Sequence, residues 1–184
     1  MSFAIASGGF KGRKLTSPPS TITRPTSALV RDALFNSLQN DIQQADFLDL
    51  FAGSGAMGLE ALSRGAKTAT FVESHRQALT CIKKNIKTLE VEQKSWVLPQ
   101  KSNQALEALQ KKGKNFDIIF ADPPYAKKEL YEEVMHFIDQ KNLLKPSGIF
   151  CIEAPSDFEP SNLKQLKAIR TKIYGSSKLI FYTF

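Results

Sequence analysis

Asp122-Pro123-Pro124-Tyr125 sets a carboxylate, two prolines and a phenol in four consecutive positions. The paired prolines deny the chain a helix and hold an extended, rigid turn. Such a turn keeps one carboxylate, one bare carbonyl and one aromatic ring in fixed relation. That equipment suits an exocyclic amine on a planar ring. The Asp122 carboxylate and the Pro123 carbonyl accept from the amine hydrogens, Pro124 stiffens the turn, and Tyr125 stacks on the ring.

A second constellation precedes it. Asp49-Leu50-Phe51-Ala52-Gly53-Ser54-Gly55-Ala56-Met57-Gly58 contains Gly-x-Gly-x-x-Gly at positions 53, 55 and 58. In that pattern Gly53 permits a tight turn, Gly55 lets backbone approach a ligand, and Gly58 lets a helix pack closely on its strand. Phe51, Ala52 and Ser54 complete the loop. Glu73 lies 20 residues after Gly53, where an acid meets the hydroxyls of a ribose. The fingerprint alone fits a nicotinamide dinucleotide or S-adenosylmethionine. Asp49 favours the second, because a carboxylate at the strand end repels a pyrophosphate and suits a sulfonium or ammonium. The Asp-Pro-Pro-Tyr turn favours it too, since hydride transfer has no evident use for it.

These residues need elements to position them. From residue 47 onward, strands and helices alternate. Strands are expected at 47–51, 68–72, 96–98, 116–121 and 148–153. Helices are expected at 56–64, 74–89 with Ser74 as cap, 103–112 and 127–140. A closing hairpin is expected from 168–174 and 178–184, joined through Gly175-Ser176-Ser177. Alternation of this kind implies parallel βαβ units and an α/β, doubly wound sheet. Both chemical segments then fall at carboxyl ends of strands, where open α/β sheets bind ligands. Upstream, a short hairpin is expected around residues 10–15, followed by an irregular, mobile connection. Pro25 leads into a helix capped by Thr26 or Ser27. Val30, Ala33, Leu34 and Leu38 give it a buried face, and Arg31 falls on another. The organisation expected is a basic extension over 1–45 for RNA contact and a catalytic domain over 46–184.

Net charge is +7 over 184 residues, and residues 1–31 hold five basic side chains and no acid. These are Lys11, Arg13, Lys14, Arg24 and Arg31, a basic arm suited to phosphates. Lys127 and Lys128, just past Tyr125, extend the track. Cys81 and Cys151 read as small buried hydrophobes, and His75 and His136 stand alone, so no metal is expected. Residues 1–9 lack the layout of a secretory leader, and no apolar run approaches the roughly 20 residues of a membrane span. A cytoplasmic protein with no membrane contact is expected.

The chain resembles the bacterial small-subunit ribosomal RNA guanine-N2 methyltransferases of the compact, single-domain type. The resemblance rests on Gly8-Gly9-Phe10-Lys11-Gly12-Arg13-Lys14-Leu15, on Arg24-Pro25-Thr26 and on Val30-Arg31-Asp32-Ala33-Leu34-Phe35-Asn36. It continues through Phe47 to Gly58, Leu59-Glu60-Ala61-Leu62-Ser63-Arg64-Gly65-Ala66, Phe71-Val72-Glu73 and Asp122 to Tyr125. It implies S-adenosylmethionine as cofactor and a guanine amine of 16S rRNA as substrate, within a small-subunit assembly intermediate; no obligate protein partner is evident in the sequence. It also implies a seven-stranded, Rossmann-like methyltransferase sheet ending in a reversed strand. The cofactor would lie on the loop from Asp49 to Gly58, on Glu73 and on a polar residue after the third strand. Ser102 and Asn103 are the candidates there.

Three rival readings are weaker. A DNA adenine or cytosine amine methyltransferase shares the turn, but usually adds a recognition domain for which 184 residues leave little room. A nicotinamide oxidoreductase leaves the turn and the arm idle. A non-catalytic rRNA-binding assembly factor explains neither pocket.

Overall fold

A computed structural model describes residues 2–19 and 27–184. Arg24, Pro25, Thr26 and most of the expected mobile connection lie outside them. The elements are β1 (Ser2–Ala4), β2 (Lys14–Thr16), α1 (Ala28–Ser37), β3 (Asp46–Asp49), α2 (Ala56–Ser63), β4 (Thr68–Val72) and α3 (Arg76–Leu89). There follow β5 (Ser95–Leu98), α4 (Ser102–Lys111), β6 (Phe116–Ala121), α5 (Lys128–Gln140), β7 (Leu144–Pro155), β8 (Lys167–Tyr174) and β9 (Ser177–Thr183).

Seven strands form one sheet in the order β5-β4-β3-β6-β7-β9-β8. All run parallel except β9, which is antiparallel to both neighbours. The doubly wound, mostly parallel sheet with its last strand reversed is therefore as expected. From β3 the chain winds outward to β4 and β5, and from β6 it winds the other way. The carboxyl ends of β3 and β6 thus flank the switch point, where such sheets open a crevice.

Strand alternation sorts the core into two layers. Phe47, Phe71, Phe120 and Cys151 face the layer made by α1, α2, α3 and the amino-terminal strands. Leu48, Ile119, Phe150 and Ile152 face α4 and α5. Continuing the alternation by two residues puts Glu73, Asp49, Asp122 and Glu153 on the first face, at the ends of four adjacent strands. Ile5, Leu15, Val30, Leu34 and Phe35 belong to the same buried cluster as Phe47, so the described parts of the first 45 residues are packed on the sheet. Among the described residues, no helix is long and apolar enough to cross a membrane.

Several local expectations change. The expected amino-terminal hairpin is present as β1 paired with β2, but it starts earlier, at Ser2, and its connection runs over residues 5–13. The intervening turn is shaped by contact with α2: a Cβ on Gly8, whose φ is +82°, would stand 1.9 Å from the Ser63 carbonyl oxygen. Ser27 caps α1 by accepting from the Val30 N–H at 3.1 Å. Ser74 does not cap α3; His75 does, its Nδ1 accepting from the Gln77 N–H at 3.3 Å. The closing hairpin turns on Gly175 and Ser176 alone, since Ser177 already pairs with Tyr174.

Candidate active site

The glycine loop leaves β3 and enters α2. Asp49 ends the strand, 1% exposed beneath the loop, and accepts from the Gly58 N–H at 3.3 Å. Gly58 stands against β4: a Cβ there would meet the Phe71 ring at 2.3 Å, the close helix-on-strand packing expected of the third glycine. Gly55 has a different role from the one expected. The side on which it would carry a Cβ faces Ile82, Leu59 and Phe71, and its φ of +81° makes it the left-handed cap of α2. Its glycine is required by the backbone turn and not by ligand approach.

Glu73, just beyond β4, closes the loop from the other side. One carboxylate oxygen accepts from the Gly53 N–H at 2.9 Å. The other accepts from the Ser74 and His75 N–H groups, each at 2.7 Å. The acid expected to meet a ribose is thus held rigid by three backbone donors, with lone pairs remaining for hydroxyls.

Phe51, Ala52, Gly53, Ser54, Glu73, Ser102 and Asn103 line one cleft of about 1130 Å³ with Asp122, Pro123, Pro124 and Tyr125. Ser102 and Asn103 enter it at the amino end of α4. Lys127 lines it as well, whereas Asp49, Gly55 and Gly58 lie behind the wall. The half-buried Asp122 therefore shares a cavity with the glycine loop, as an amine-methylating site requires.

The turn is braced by residues that sequence reasoning missed. Tyr131, buried on α5, donates to the Pro123 carbonyl at 2.8 Å. Burial, reinforced by the charge of Asp122, pushes the Tyr131 phenol far above its ordinary range, so it stays a donor. The Pro123 carbonyl, expected to face a substrate amine, already uses one lone pair internally. Only its second lone pair is left for that task. Pro124 accepts from the Lys127 N–H at 2.9 Å. Tyr125 shares a hydrogen bond with Ser177 Oγ and lies 3.5 Å from Glu153 Oε1, so the hydroxyl at the far end of its ring is anchored to β9.

The amino-terminal arm is fixed to this frame by buried polar groups. Glu60 on α2, 0% exposed, accepts from Ala6 N–H at 2.8 Å, Ser7 N–H at 3.0 Å and Arg64 Nε at 2.7 Å. Asn85 on α3, 1% exposed, donates to Thr16 and Ser54 carbonyls at 2.8 and 3.0 Å and accepts from the Thr16 N–H. It links β2 directly to the glycine loop. Arg31 is a correction. It is 7% exposed, donates to the Ala4 carbonyl at 3.0 Å, lies 3.8 Å from Glu60 and covers the Phe3 ring. The Glu60 charge draws it inward, so it joins the buried face of α1 instead of a separate one, at the wall of the cleft. Lys11, Arg13, Lys14, Lys127 and Lys128 are exposed, with Arg13 also donating to the Thr88 carbonyl at 2.7 Å.

The strand-end floor of the cleft is acidic, lined by Glu73, Asp122 and Glu153, while Arg31, Lys101 and Lys127 line its wall. Such a floor disfavours a diphosphate and fits a ligand carrying a sulfonium and an ammonium. Burial pushes the Asp49 carboxyl up to about 7 from 3.8; the Gly58 N–H opposes this and the Glu73 charge adds to it. The folded value lies above the unfolded one, so the contribution of Asp49 to stability is fully present below 3.8 and is lost as pH rises from there towards 7. Between pH 5 and 7 the ligand-free protein should lose roughly 2 kcal/mol more than Asp49→Asn, measured by urea denaturation.

The model for the family described as Conserved hypothetical protein 95 matches residues 3–183. The chain belongs to that family. A curated relative, the Ribosomal RNA small subunit methyltransferase D of Haemophilus influenzae, is 38% identical over 173 residues, covering 92% of this chain and 89% of the relative. YlbH of Bacillus subtilis, provisionally described as an rRNA methyltransferase, is 35% identical over 179 residues and 97% of each chain. The solved structure of Escherichia coli yhhF, provisionally described as a methyltransferase, superposes with a TM-score of 0.86 at 31% identity, covering 99% of this chain and 97% of that one. The likeness to family members thus runs through both the cleft and the amino-terminal arm.

Proposed function

We propose that the protein transfers a methyl group from S-adenosylmethionine to the N2 amine of a guanine in 16S rRNA, within a small-subunit assembly intermediate. The observation that carries this reading is the single cleft shared by Asp122 and the glycine loop with its Glu73 clamp. The rRNA half rests on the relatives' names and on the exposed basic side chains of the amino-terminal arm.

The residues divide the work. Glu73 meets the ribose hydroxyls, while Ser102 and Asn103 meet the adenine. The loop backbone from Phe51 to Ser54 supports the amino-acid end, and buried Asp49, part neutral near pH 7 in the free protein, is drawn into its charged form beneath it by the cationic ligand. When bound, S-adenosylmethionine supplies a methyl group activated by its sulfonium. A guanine amine is a weak nucleophile, but it is unprotonated at neutral pH and needs no strong base before attack. Asp122 accepts one amine hydrogen and the remaining lone pair of Pro123 the other. Both acceptors stabilise the positive charge that grows on nitrogen, and the proton is released to Asp122 or solvent. Tyr125 stacks on the base, a contact worth about 1–3 kcal/mol on comparable platforms. The base must leave its stack to enter. Alignment of nitrogen, methyl and sulfur in the rigid cleft supplies much of the rate.

Lys127 holds a phosphate at the mouth, and the exposed Lys11, Arg13, Lys14 and Lys128 hold phosphates farther along the RNA. Arg24 belongs to the same proposal on sequence grounds. Reversing Lys11 and Lys14 to glutamate should raise the KM for rRNA about tenfold and flatten its salt dependence by about one unit of log–log slope for each phosphate no longer neutralised. An unchanged KM at physiological salt would remove the arm from the interface.

Incubation with a methyl-labelled donor and, in parallel, naked 16S rRNA, small ribosomal subunits or their precursors, and duplex DNA tests the proposal. Label is expected in rRNA, free or within the particle, and not in DNA. Transfer to DNA alone, or none to any rRNA form, would overturn it.

A further inference from the structure

Glu153 is a carboxylate 5% exposed at the end of β7, and it faces the cleft. Nothing in the methyl-transfer chemistry described above uses it. Its place is set by register. Ala121 on β6 pairs with Ile152 on β7, so the next residues along, Asp122 and Glu153, are neighbours across two parallel strands. Strand spacing puts them about 5 Å apart, on the same face of the sheet. Glu153 lies one strand farther from the glycine loop than Asp122. Glu153 is also 3.5 Å from the Tyr125 hydroxyl. It therefore borders both the acceptor of the amine and the ring that stacks on the base.

Guanine's 2-amine is flanked by N1–H on one side and N3 on the other, and a base held with its amine at Asp122 can turn its N1 edge towards β7. The three amino-bearing bases differ at that atom. Adenine has N1 and cytosine N3 beside the amine, and both are acceptors. Guanine alone has an N–H there. An ionised carboxylate is an acceptor only, so in that form Glu153 hydrogen-bonds guanine and faces a lone pair in the other two. Building on the methyl-transfer reading above, we propose that Glu153 is the specificity-determining residue that selects guanine by accepting its N1–H.

The discriminating substrate is 2-aminopurine, which keeps the 2-amine but carries a bare acceptor at N1. Once the methylated guanine is mapped, an rRNA bearing 2-aminopurine at that position is compared with the guanine form. The wild type is expected to favour guanine in kcat/KM by roughly 100-fold or more. Glu153→Gln keeps the volume and can donate from its amide to N1 of 2-aminopurine, so the preference should shrink to about tenfold or less. Ser177→Ala, which loosens Tyr125 without touching Glu153, should slow both substrates alike and leave the preference intact. Binding of S-adenosylhomocysteine to Glu153→Gln, measured by calorimetry, should match the wild type and shows that the variant is folded. An equal loss on both RNAs would make Glu153 a structural support and overturn the proposal, as would a wild type indifferent to 2-aminopurine. Failure of the wild type to methylate guanine at all would instead overturn the underlying reading.

Discussion

Asp122→Ala is expected to lower kcat by about 10²–10³-fold while leaving S-adenosylhomocysteine binding within about threefold of wild type. The separation follows from which groups hold which part of the cleft. Glu73 fixes the Gly53 backbone, and Asn85 fixes the Ser54 carbonyl. Neither depends on Asp122. The turn that carries Asp122 is braced independently, by Tyr131 on Pro123 and by the Lys127 N–H on Pro124. Removing the carboxylate therefore deletes an acceptor for the developing charge while the loop geometry survives. Asp122→Asn retains one acceptor oxygen and should fall between the two. Single-turnover kinetics beside calorimetry would read both quantities. Near-normal turnover in Asp122→Ala would assign the residue no part in the chemistry.

Glu60→Ala carries the largest expected cost in stability, about 3–5 kcal/mol. The side chain is buried and answers two backbone N–H groups and Arg64. Its removal strands those donors and leaves Arg31, itself buried, without its counter-charge at 3.8 Å. For a chain of this size that loss is a fall in Tm of roughly 6–20 °C. Amide hydrogen exchange should rise at Ala6, Ser7 and Gly9 before it rises in β3 or β6, because the arm is released ahead of the sheet. A loss below about 1 kcal/mol in urea denaturation would show that the arm is held by its apolar contacts alone.

What the sequence made legible follows the range of each interaction. β4 and β6 begin and end where their apolar runs do, because a buried strand needs nothing beyond its own side chains to announce itself. The glycine fingerprint, Glu73 and the proline turn were legible because each works through local backbone geometry. Arg31 was misplaced because its direction is set by Glu60 on α2, to which no local pattern points. Helical spacing points to Val30, Ala33, Leu34 and Leu38 as the buried face, and Arg31 joins them through an ion pair. The role of Gly55, the use of Pro123 by Tyr131 and the links through Asn85 and Ser177 were hidden for the same reason. Only one faint signal was available for Glu60. It is a lone acid in an otherwise apolar helix, four residues before an arginine, the spacing of a helical ion pair.

The most direct test is nucleoside analysis by mass spectrometry of 16S rRNA treated with the protein and S-adenosylmethionine, using rRNA from cells that lack it. A single new N2-methylguanosine, absent when Asp122→Ala is used, is the outcome this account predicts. The appearance of N6-methyladenosine or a methylated cytosine in its place, or methylated guanosine undiminished by Asp122→Ala, would contradict it.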